Sequence, residues 1–314
     1  MKHALPAALV ILAFVPFALD SQFLVNLAML TAVSAALGQA WNIAGGFGGL
    51  TSFGHAAFFG FGAYGAAILQ TRYGLNPWLG LPLGALLGAA VGAVVGWASF
   101  RAGLRGSYFA LATLAIAEAF RILANSIDFT RAGLGILVPL RIDPANFQFA
   151  DRRASYALAL ALVALSVAVA SWMTRSRFGA QLVAVRENED AARALGVKVL
   201  RTKVLALSIS GSITALGGVL YTQTYLYIDP NIAFGLDRSV DMLLVAMIGA
   251  IVLTLRDKGD SRRQNIGVQV NRRVVDTLEL VDVVRGAGVN AIDIRRPKLS
   301  DPEPEPSDAH PGHH

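Results

Sequence analysis

Cysteine is absent from this 314-residue sequence, and charged residues are scarce. The chain therefore has no disulfides, thiolate metal ligands or cysteine nucleophiles. Only 15% of the residues are charged, whereas 54% are hydrophobic, which lies outside the usual balance of a soluble domain. Long uninterrupted apolar runs predict membrane helices rather than a β-barrel, because a helix satisfies its own backbone hydrogen bonds in hydrocarbon. The predicted fold class is all-α.

Nucleotide-binding motifs are also missing. The sequence has no G-x-x-x-x-G-K-[ST] loop, so we expect any ATP chemistry to belong to a partner rather than to this chain. Gly60, Gly62 and Gly65 spell G-x-G-x-x-G, but they lie in an apolar span and not after a strand, which favours helix packing. The net charge of +6 lies in loops between spans, where cations orient a membrane protein instead of binding nucleic acid.

The apolar runs predict a polytopic transmembrane bundle of about eight spans, each long enough for a bilayer. The predicted spans are Ala4 to Leu19, Phe23 to Ala44, Leu50 to Leu69, Pro77 to Phe100, Tyr108 to Ser126, Ala154 to Met173, Val204 to Ile228 and Ser239 to Leu255. The first is either a cleaved signal peptide or an uncleaved anchor, and we favour the anchor. The membrane domain then covers residues 1–255, and residues 256–314 form an atypical polar tail.

Loop cations predict the orientation. With the amino terminus in the cytoplasm of a bacterium, the inner loops of its plasma membrane hold more Lys and Arg than the outer loops. The largest contribution comes from residues 174–203, the longest polar stretch within the membrane domain. This cytoplasmic loop is the first candidate for a functional region.

Glycine recurs at every fourth position of the fourth predicted span, which makes one smooth helix face. These residues are Gly80, Gly84, Gly88, Gly92 and Gly96. Without side chains there, a neighbouring helix can approach to backbone contact. The neighbour is either another helix of the same chain, which we favour, or a second subunit.

Four polar residues at membrane depth are candidates for a translocation path. Glu118 and Arg121 lie three residues apart on one helix, so they either neutralise each other, which we favour, or contact a zwitterionic substrate. His55 is more simply a packed hydrogen-bonding residue than a ligand or proton carrier. Asn42 is a further path candidate. The other histidines lie near the chain ends, so we expect no metal site and no cofactor.

The cytoplasmic loop predicts one short amphipathic helix from Leu182 to Leu195, ended by Gly196. Its apolar side holds Val185, Ala192 and Leu195. One interpretation is a solvated helix that only links two spans. The other is a surface that a partner protein binds.

Several segments resemble one family. Asp190-Ala191-Ala192 followed by Gly196 is similar to the EAA loop of ABC importer permeases, with Asp in the Glu position. Further stretches resemble the permeases of branched-chain amino-acid ABC importers; they read LTSFGHAAFFGFGAYGAAIL, LRGSYFALATLAIAEAFRI, SRFGAQLVAVRENEDAARALGV and KVLALSISGSITALGGVLY. Arg105, Gly106, Tyr108 and Phe109 resemble the type with the long outer loop. Urea and amide importers use close relatives.

The resemblance implies a transport subunit and not an enzyme. In this family two permeases form the path, two ATPase subunits drive it, and a periplasmic or lipid-anchored binding protein delivers the amino acid. The residues that correspond to the ATPase-coupling loop are Glu187, Asp190, Ala191, Ala192 and Gly196. Two other classes stay open: a secondary transporter with Glu118 and His55 as proton-coupled groups, and a membrane scaffold that transports nothing.

The resemblance covers roughly Ala35 to Ala250, after which the sequence changes character. Family members continue with a glycine-rich turn and more apolar sequence, whereas this chain has Arg256, Asp257, Lys258 and a polar stretch. A reading-frame shift, a fusion or a genuine cytoplasmic tail would each produce that change. We expect PEPEP, near the end of the tail, to be extended and solvated.

Overall fold

The computed structural model describes residues 21–256, with side chains as far as Gly249. Helices dominate this range. They are α1 (Gln22–Asn42), α2 (His55–Tyr73), α3 (Gly80–Arg101), α4 (Gly106–Ser126), α5 (Arg152–Arg175), α6 (Arg177–Glu187), α7 (Glu189–Ala194), α8 (Val199–Tyr225), α9 (Pro230–Phe234) and α10 (Leu236–Arg256). Two short antiparallel strands, β1 (Ile136–Leu137) and β2 (Tyr227–Ile228), pair Ile136 with Ile228. The prediction of an all-α bundle is confirmed.

Five helical segments in this range are long and apolar enough to cross a membrane: Gln22–Phe47, Pro77–Arg101, Gly106–Ser126, Arg152–Arg175 and Val199–Tyr225. Each coincides with a predicted span. The spans predicted at Leu50 to Leu69 and Ser239 to Leu255 correspond to α2 and α10. The span predicted at Ala4 to Leu19 and the polar tail lie outside the described residues.

Helix α8 is the centre of the bundle, with α1, α2 and α3 packed around it. The glycine row of α3 lies against α8. A Cβ atom at Gly92 would lie 2.7 Å from the carbonyl oxygen of Leu207, and one at Gly88 would meet the carbonyl oxygen of Gly211. On α2, Gly60 and Gly62 face Phe234 and the α8 backbone at Ala215. Both sets of glycines therefore pack helices within this chain.

Helix α2 begins inside the bundle. Helix α1 ends in a π-helical turn, Ile43–Phe47, and the next residues, 48–54, have no regular structure. Side chains from other helices bind the backbone here: Trp41 Nε1 donates to Ser52 O (2.9 Å), Phe53 N donates to Thr113 Oγ1 (3.2 Å) and Ala56 N donates to Ser239 Oγ (2.8 Å). Such bonds allow irregular backbone at membrane depth.

The bundle has two different ends. One end, called the α7 end below, holds α6, α7, the start of α8 and the α3–α4 turn. The opposite end, called the long-loop end, holds residues 127–151 and the strands. There Arg72 Nη2 donates to Asp128 O (2.9 Å), and Trp78 Nε1 donates to Pro144 O (2.9 Å). These bonds attach the long loop to the ends of α2 and α3.

Candidate coupling surface and translocation path

The loop between α5 and α8 contains two helices, so the prediction of one helix from Leu182 to Leu195 is wrong. The break is at Asn188, whose backbone is extended (φ −156°). Its side-chain Oδ1 accepts hydrogen bonds from Asp190 N and Ala191 N, both at 3.0 Å. Asparagine is a favoured N-cap, because it satisfies backbone N–H groups that have no partner in the first turn. A separate helix, α7, therefore begins at Glu189.

Helix α7 ends at the predicted glycine. Gly196 has φ +85°, a conformation that glycine adopts without a steric penalty. Gly196 N donates to Arg193 O (3.0 Å), and Val197 N donates to Ala192 O (3.0 Å). These two bonds form a Schellman motif, which closes the helix and turns the chain toward α8.

The two sides of α7 differ from the predicted ones. Ala192 is buried and packs with Val185 and Val199, so it faces inward and, although predicted as a coupling residue, is not part of the exposed surface of α7. Leu195 was predicted on the same side, and this is wrong, since 84% of its surface is exposed. Leu195 follows the last residue of α7 and lies in the cap, away from the buried side. Ala191, Ala194 and Leu195 are exposed and are called the coupling surface below.

Two of the charged pairs around this surface join residues that are close in sequence. Asp190 Oδ1 lies 2.8 Å from Arg193 Nη1, and both side chains are exposed. Glu187 Oε1 lies 2.7 Å from Arg186 Nη2. Arg186 also donates through Nη1 to the carbonyl oxygen of Gly46 in the π-helical turn (2.9 Å). Glu187 thus holds the arginine that attaches α6 to the end of α1.

Glu189 was not among the predicted site residues, yet its carboxylate has two cationic partners. Oε1 pairs with Nζ of Lys203, and Oε2 lies 3.3 Å from Nε of Arg105. The Lys203 side chain is only 6% exposed and that of Glu189 is 19% exposed. The two partners belong to α8 and to the α3–α4 turn. Because they are distant in sequence from Glu189, no local sequence pattern predicts this contact.

At the other half of the bundle, Glu118 and Arg121 form the internal pair that was favoured. Arg121 donates through Nε to Glu118 Oε2 (2.9 Å) and through Nη2 to Glu118 Oε1 (2.6 Å). Its Nη1 donates to Oδ1 of Asn231 in α9 (2.7 Å), a partner that the sequence did not suggest. The Glu118 side chain is nevertheless 45% exposed. A half-exposed carboxylate on an apolar span needs polar surroundings.

His55 is fully buried and packed, in line with the favoured interpretation. Its Nε2 lies 2.8 Å from Ser210 Oγ, which donates to Ala40 O (2.7 Å). This network joins α1, α2 and α8.

The four path candidates do not meet at one site. Asn42 is half-buried at the α7 end, and within residues 21–256 its side chain makes one hydrogen bond, a long one of 3.5 Å to Gln39. Glu118 lies 12 residues after Gly106 along α4, toward the long-loop end. Twelve residues of helix span about 18 Å. Only Glu118 and Arg121 of the candidate set touch each other.

The fold and the loop define a polytopic α-helical membrane protein with a short capped helix presented at one end. Residues 23–270 match the model of the family described as branched-chain amino acid transport system / permease component. The chain belongs to this family. The match continues past Ala250, where the motif resemblance was expected to stop.

Curated relatives support this assignment. The chain is 32% identical over 279 residues to the high-affinity branched-chain amino acid transport system permease protein LivM of Escherichia coli (strain K12), covering 80% of this chain and 64% of the relative. The corresponding LivM of Salmonella typhimurium is 31% identical over 277 residues, with the same shares covered. The chain thus spans 64% of the length of these relatives.

A second similarity points to a different protein. A stretch of 75 residues, 24% of this chain, is 45% identical to NADH-quinone oxidoreductase subunit J of Rhodobacter capsulatus and covers 33% of that protein. No solved structure matches the chain at comparable significance.

Proposed function

We propose that this chain is a permease subunit of an ABC importer, which carries branched-chain or related amino acids across the inner membrane. Separate ATPase subunits supply the energy, a second homologous permease completes the path, and a periplasmic or lipid-anchored binding protein delivers the amino acid. The family match over residues 23–270 and the LivM similarity support this function.

The structural observation that carries the proposal is the coupling surface. Its exposed residues are small or apolar, and the Asn188 cap and the Gly196 turn fix α7 at both ends. A short, rigid helix with an apolar face suits insertion into a groove on a partner protein. The coupling surface is therefore proposed to bind the ATPase.

Copurification tests the function. The chain, expressed with its neighbouring genes, is expected to copurify with an ATPase subunit, and amino-acid uptake into proteoliposomes is expected to require ATP. Ala191→Trp should abolish copurification, because a large ring on the coupling surface prevents close docking. Ala90→Trp, on the exposed side of α3, is the matched control. Uptake driven by a proton gradient without an ATPase would instead support a secondary transporter. Urea and short-chain amides should be tested in the same uptake assay, because their uptake would support the alternative of a urea or amide importer.

The Glu118–Arg121–Asn231 group is proposed to line the translocation path. Its two charged side chains, Glu118 and Arg121, pair with each other, yet each remains partly exposed in the isolated chain. Lipid is an unfavourable neighbour for such a surface, whereas water or a second permease is a favourable one. His55 and Asn42 are proposed to act through packing near the path, without direct contact with the substrate.

The proposed orientation places the amino terminus and the α7 end in the cytoplasm. Since the chain has no cysteine, single cysteines report accessibility without background. In intact cells, Leu134→Cys at the long-loop end is expected to react with a membrane-impermeant maleimide, and Lys198→Cys, exposed at the α7 end but outside the coupling surface, only after permeabilisation. The reverse pattern would invert the topology.

We also propose that residues 256–314 are an atypical polar tail that follows a break in the permease sequence; the family match includes this tail only as far as residue 270. Mass spectrometry of the natively expressed protein can test this, because the tryptic peptide Ser239–Arg256 crosses Ala250. Its detection in the native membrane would establish that the chain is continuous through Ala250 as far as Arg256. A different peptide following Arg238 would establish a sequence break.

A further inference from the structure

The carboxylate of Glu189 connects α7 to three other segments of the bundle. One oxygen pairs with Lys203 in the first turns of α8. The other lies 3.3 Å from Arg105, which precedes α4. The Lys203 ammonium lies in turn 5.2 Å from the ring centroid of Phe100 near the end of α3, and Phe100 stacks on Phe109 at 4.8 Å. Glu189 therefore contacts the starts of α8 and α4 directly and is linked to the end of α3 through Lys203.

This contact lies on the inner side of α7, opposite the coupling surface. The Glu189 side chain is 19% exposed, whereas the neighbouring Asp190 side chain is 75% exposed. The other inward contact of α7 is apolar and small: Ala192 packs with Val185 and Val199. Apolar contacts of this kind are non-directional. The hydrogen bond that Lys203 donates to Glu189 has a preferred geometry and, together with the ion pair to Arg105, fixes the direction of α7 on the bundle.

Helix α8 leads from this contact into the core. Lys203 and Ser210 are seven residues apart, so they lie on the same side of the helix. Ser210 bonds Ala40 O and His55, which belong to α1 and to the start of α2. A displacement of Lys203 along the axis of α8 would therefore reach the interior network through a continuous helix.

We propose that Glu189 is the positioning residue that transmits movement of α7 to α8 and to the α3–α4 turn. This inference rests on the proposed function, because it concerns an ATPase that binds the coupling surface. Glu189 does not itself contact the ATPase or the substrate. Its loss should therefore separate ATP hydrolysis from transport, whereas a residue that binds the ATPase should affect complex formation.

The test uses the assembled importer in proteoliposomes, with ATP hydrolysis and amino-acid uptake measured in one sample. Glu189→Gln and Lys203→Gln are expected to keep the ATPase bound but to lower the uptake per ATP about fivefold or more, the range of a typical coupling free energy. Arg201→Gln is the matched control. It removes a cation from the same turn of α8, at an exposed position with no ion pair among the described residues. The control should retain wild-type uptake per ATP.

A chemical rescue distinguishes transmission from misfolding. Glu189→Cys should be as poorly coupled as Glu189→Gln. Because the chain has no other cysteine, an anionic methanethiosulfonate reagent adds a negative charge to this chain only at residue 189, and a neutral reagent adds none. The wild-type importer treated in the same way reports any reaction with the partner subunits. Recovery with the anionic reagent alone is the expected result.

Two outcomes would overturn the inference. One is wild-type uptake per ATP in both Glu189→Gln and Lys203→Gln. The other is equal recovery of Glu189→Cys with both reagents. Failure of the wild-type chain to copurify with an ATPase would overturn the proposed function together with this inference, so the two failures are distinguishable.

Discussion

Leu195 offers a direct test of the coupling surface, because 84% of it is exposed at the end of α7. Leu195→Ala removes three carbon atoms. At about 0.8 kcal/mol for each carbon group buried, complete burial by the ATPase would make their removal cost about 2 kcal/mol. Since about 1.4 kcal/mol changes an equilibrium constant tenfold, the Kd for the ATPase subunit should rise roughly 30-fold.

Titration of the ATPase subunit against the permease in nanodiscs measures this Kd. Leu134→Ala is the matched control, because Leu134 is 81% exposed but lies at the long-loop end. Its Kd should equal that of the wild type. Thermal unfolding of both variants should also match the wild type, since exposed substitutions usually change stability by about 0.5 kcal/mol or less. A change in Kd of less than about threefold for Leu195→Ala, well below the value from buried area, would refute the assigned surface.

The remaining predictions concern the bundle and the path. Gly88→Val places a Cβ 2.5 Å from Ala215 Cβ, so it should lower the melting temperature in detergent through overpacking of about 1–3 kcal/mol, whereas Ala90→Val on the exposed side should not. Ser210→Ala leaves the buried His55 Nε2 without its partner and should cost about 1–3 kcal/mol, again measured as a lower melting temperature. Arg121→Gln removes the guanidinium from the half-exposed pair, so we expect the complex to assemble but amino-acid uptake to fail. Unchanged melting temperatures, or normal uptake, would contradict these assignments.

The helices of the bundle were predictable because each long apolar run must satisfy its own backbone hydrogen bonds in lipid. The five described spans therefore coincide with predicted ones. Gly196 was predictable for a similar local reason, since a glycine after a helical pattern marks the left-handed residue of a cap. The glycine row of α3 predicted a close helix neighbour. It did not identify α8 as that neighbour, because the periodicity of one helix carries no information about its partner.

The break at Asn188 had a local signal that the helical pattern obscured. Asparagine followed by Glu189 and Asp190 is a typical helix start, with acidic residues in the first turn. Apolar residues on both sides of Asn188 still fitted one continuous helix, so Leu195 was assigned to the buried side. Recognition of the N-cap would have restarted the helix at Glu189 and changed which side each later residue occupies.

The polar partners had no local signal at all. Arg121 binds Asn231, and Arg186 binds the carbonyl oxygen of Gly46, each more than one hundred residues away in sequence. Glu187 and Glu189 are both acidic residues of the same loop, and their local sequence does not distinguish them. Only the fold brings Lys203 and Arg105 to one of them. The sequence shows where a carboxylate lies in an amphipathic segment and what charge it carries. Which residues it contacts depends on how the helices pack.

These long-range contacts explain how a loop of modest size can be held firmly on a membrane bundle. Helix α7 has six residues, too few to be stable alone, because helix nucleation is unfavourable and short helices fray. Its two caps satisfy the terminal backbone groups, and Glu189 fixes it to α8 and to the α3–α4 turn. Arg186 independently fixes α6 to the end of α1. The loop is therefore attached to separate helices at separate points, so a force on the coupling surface must move those helices or break a named ionic or hydrogen-bonded contact.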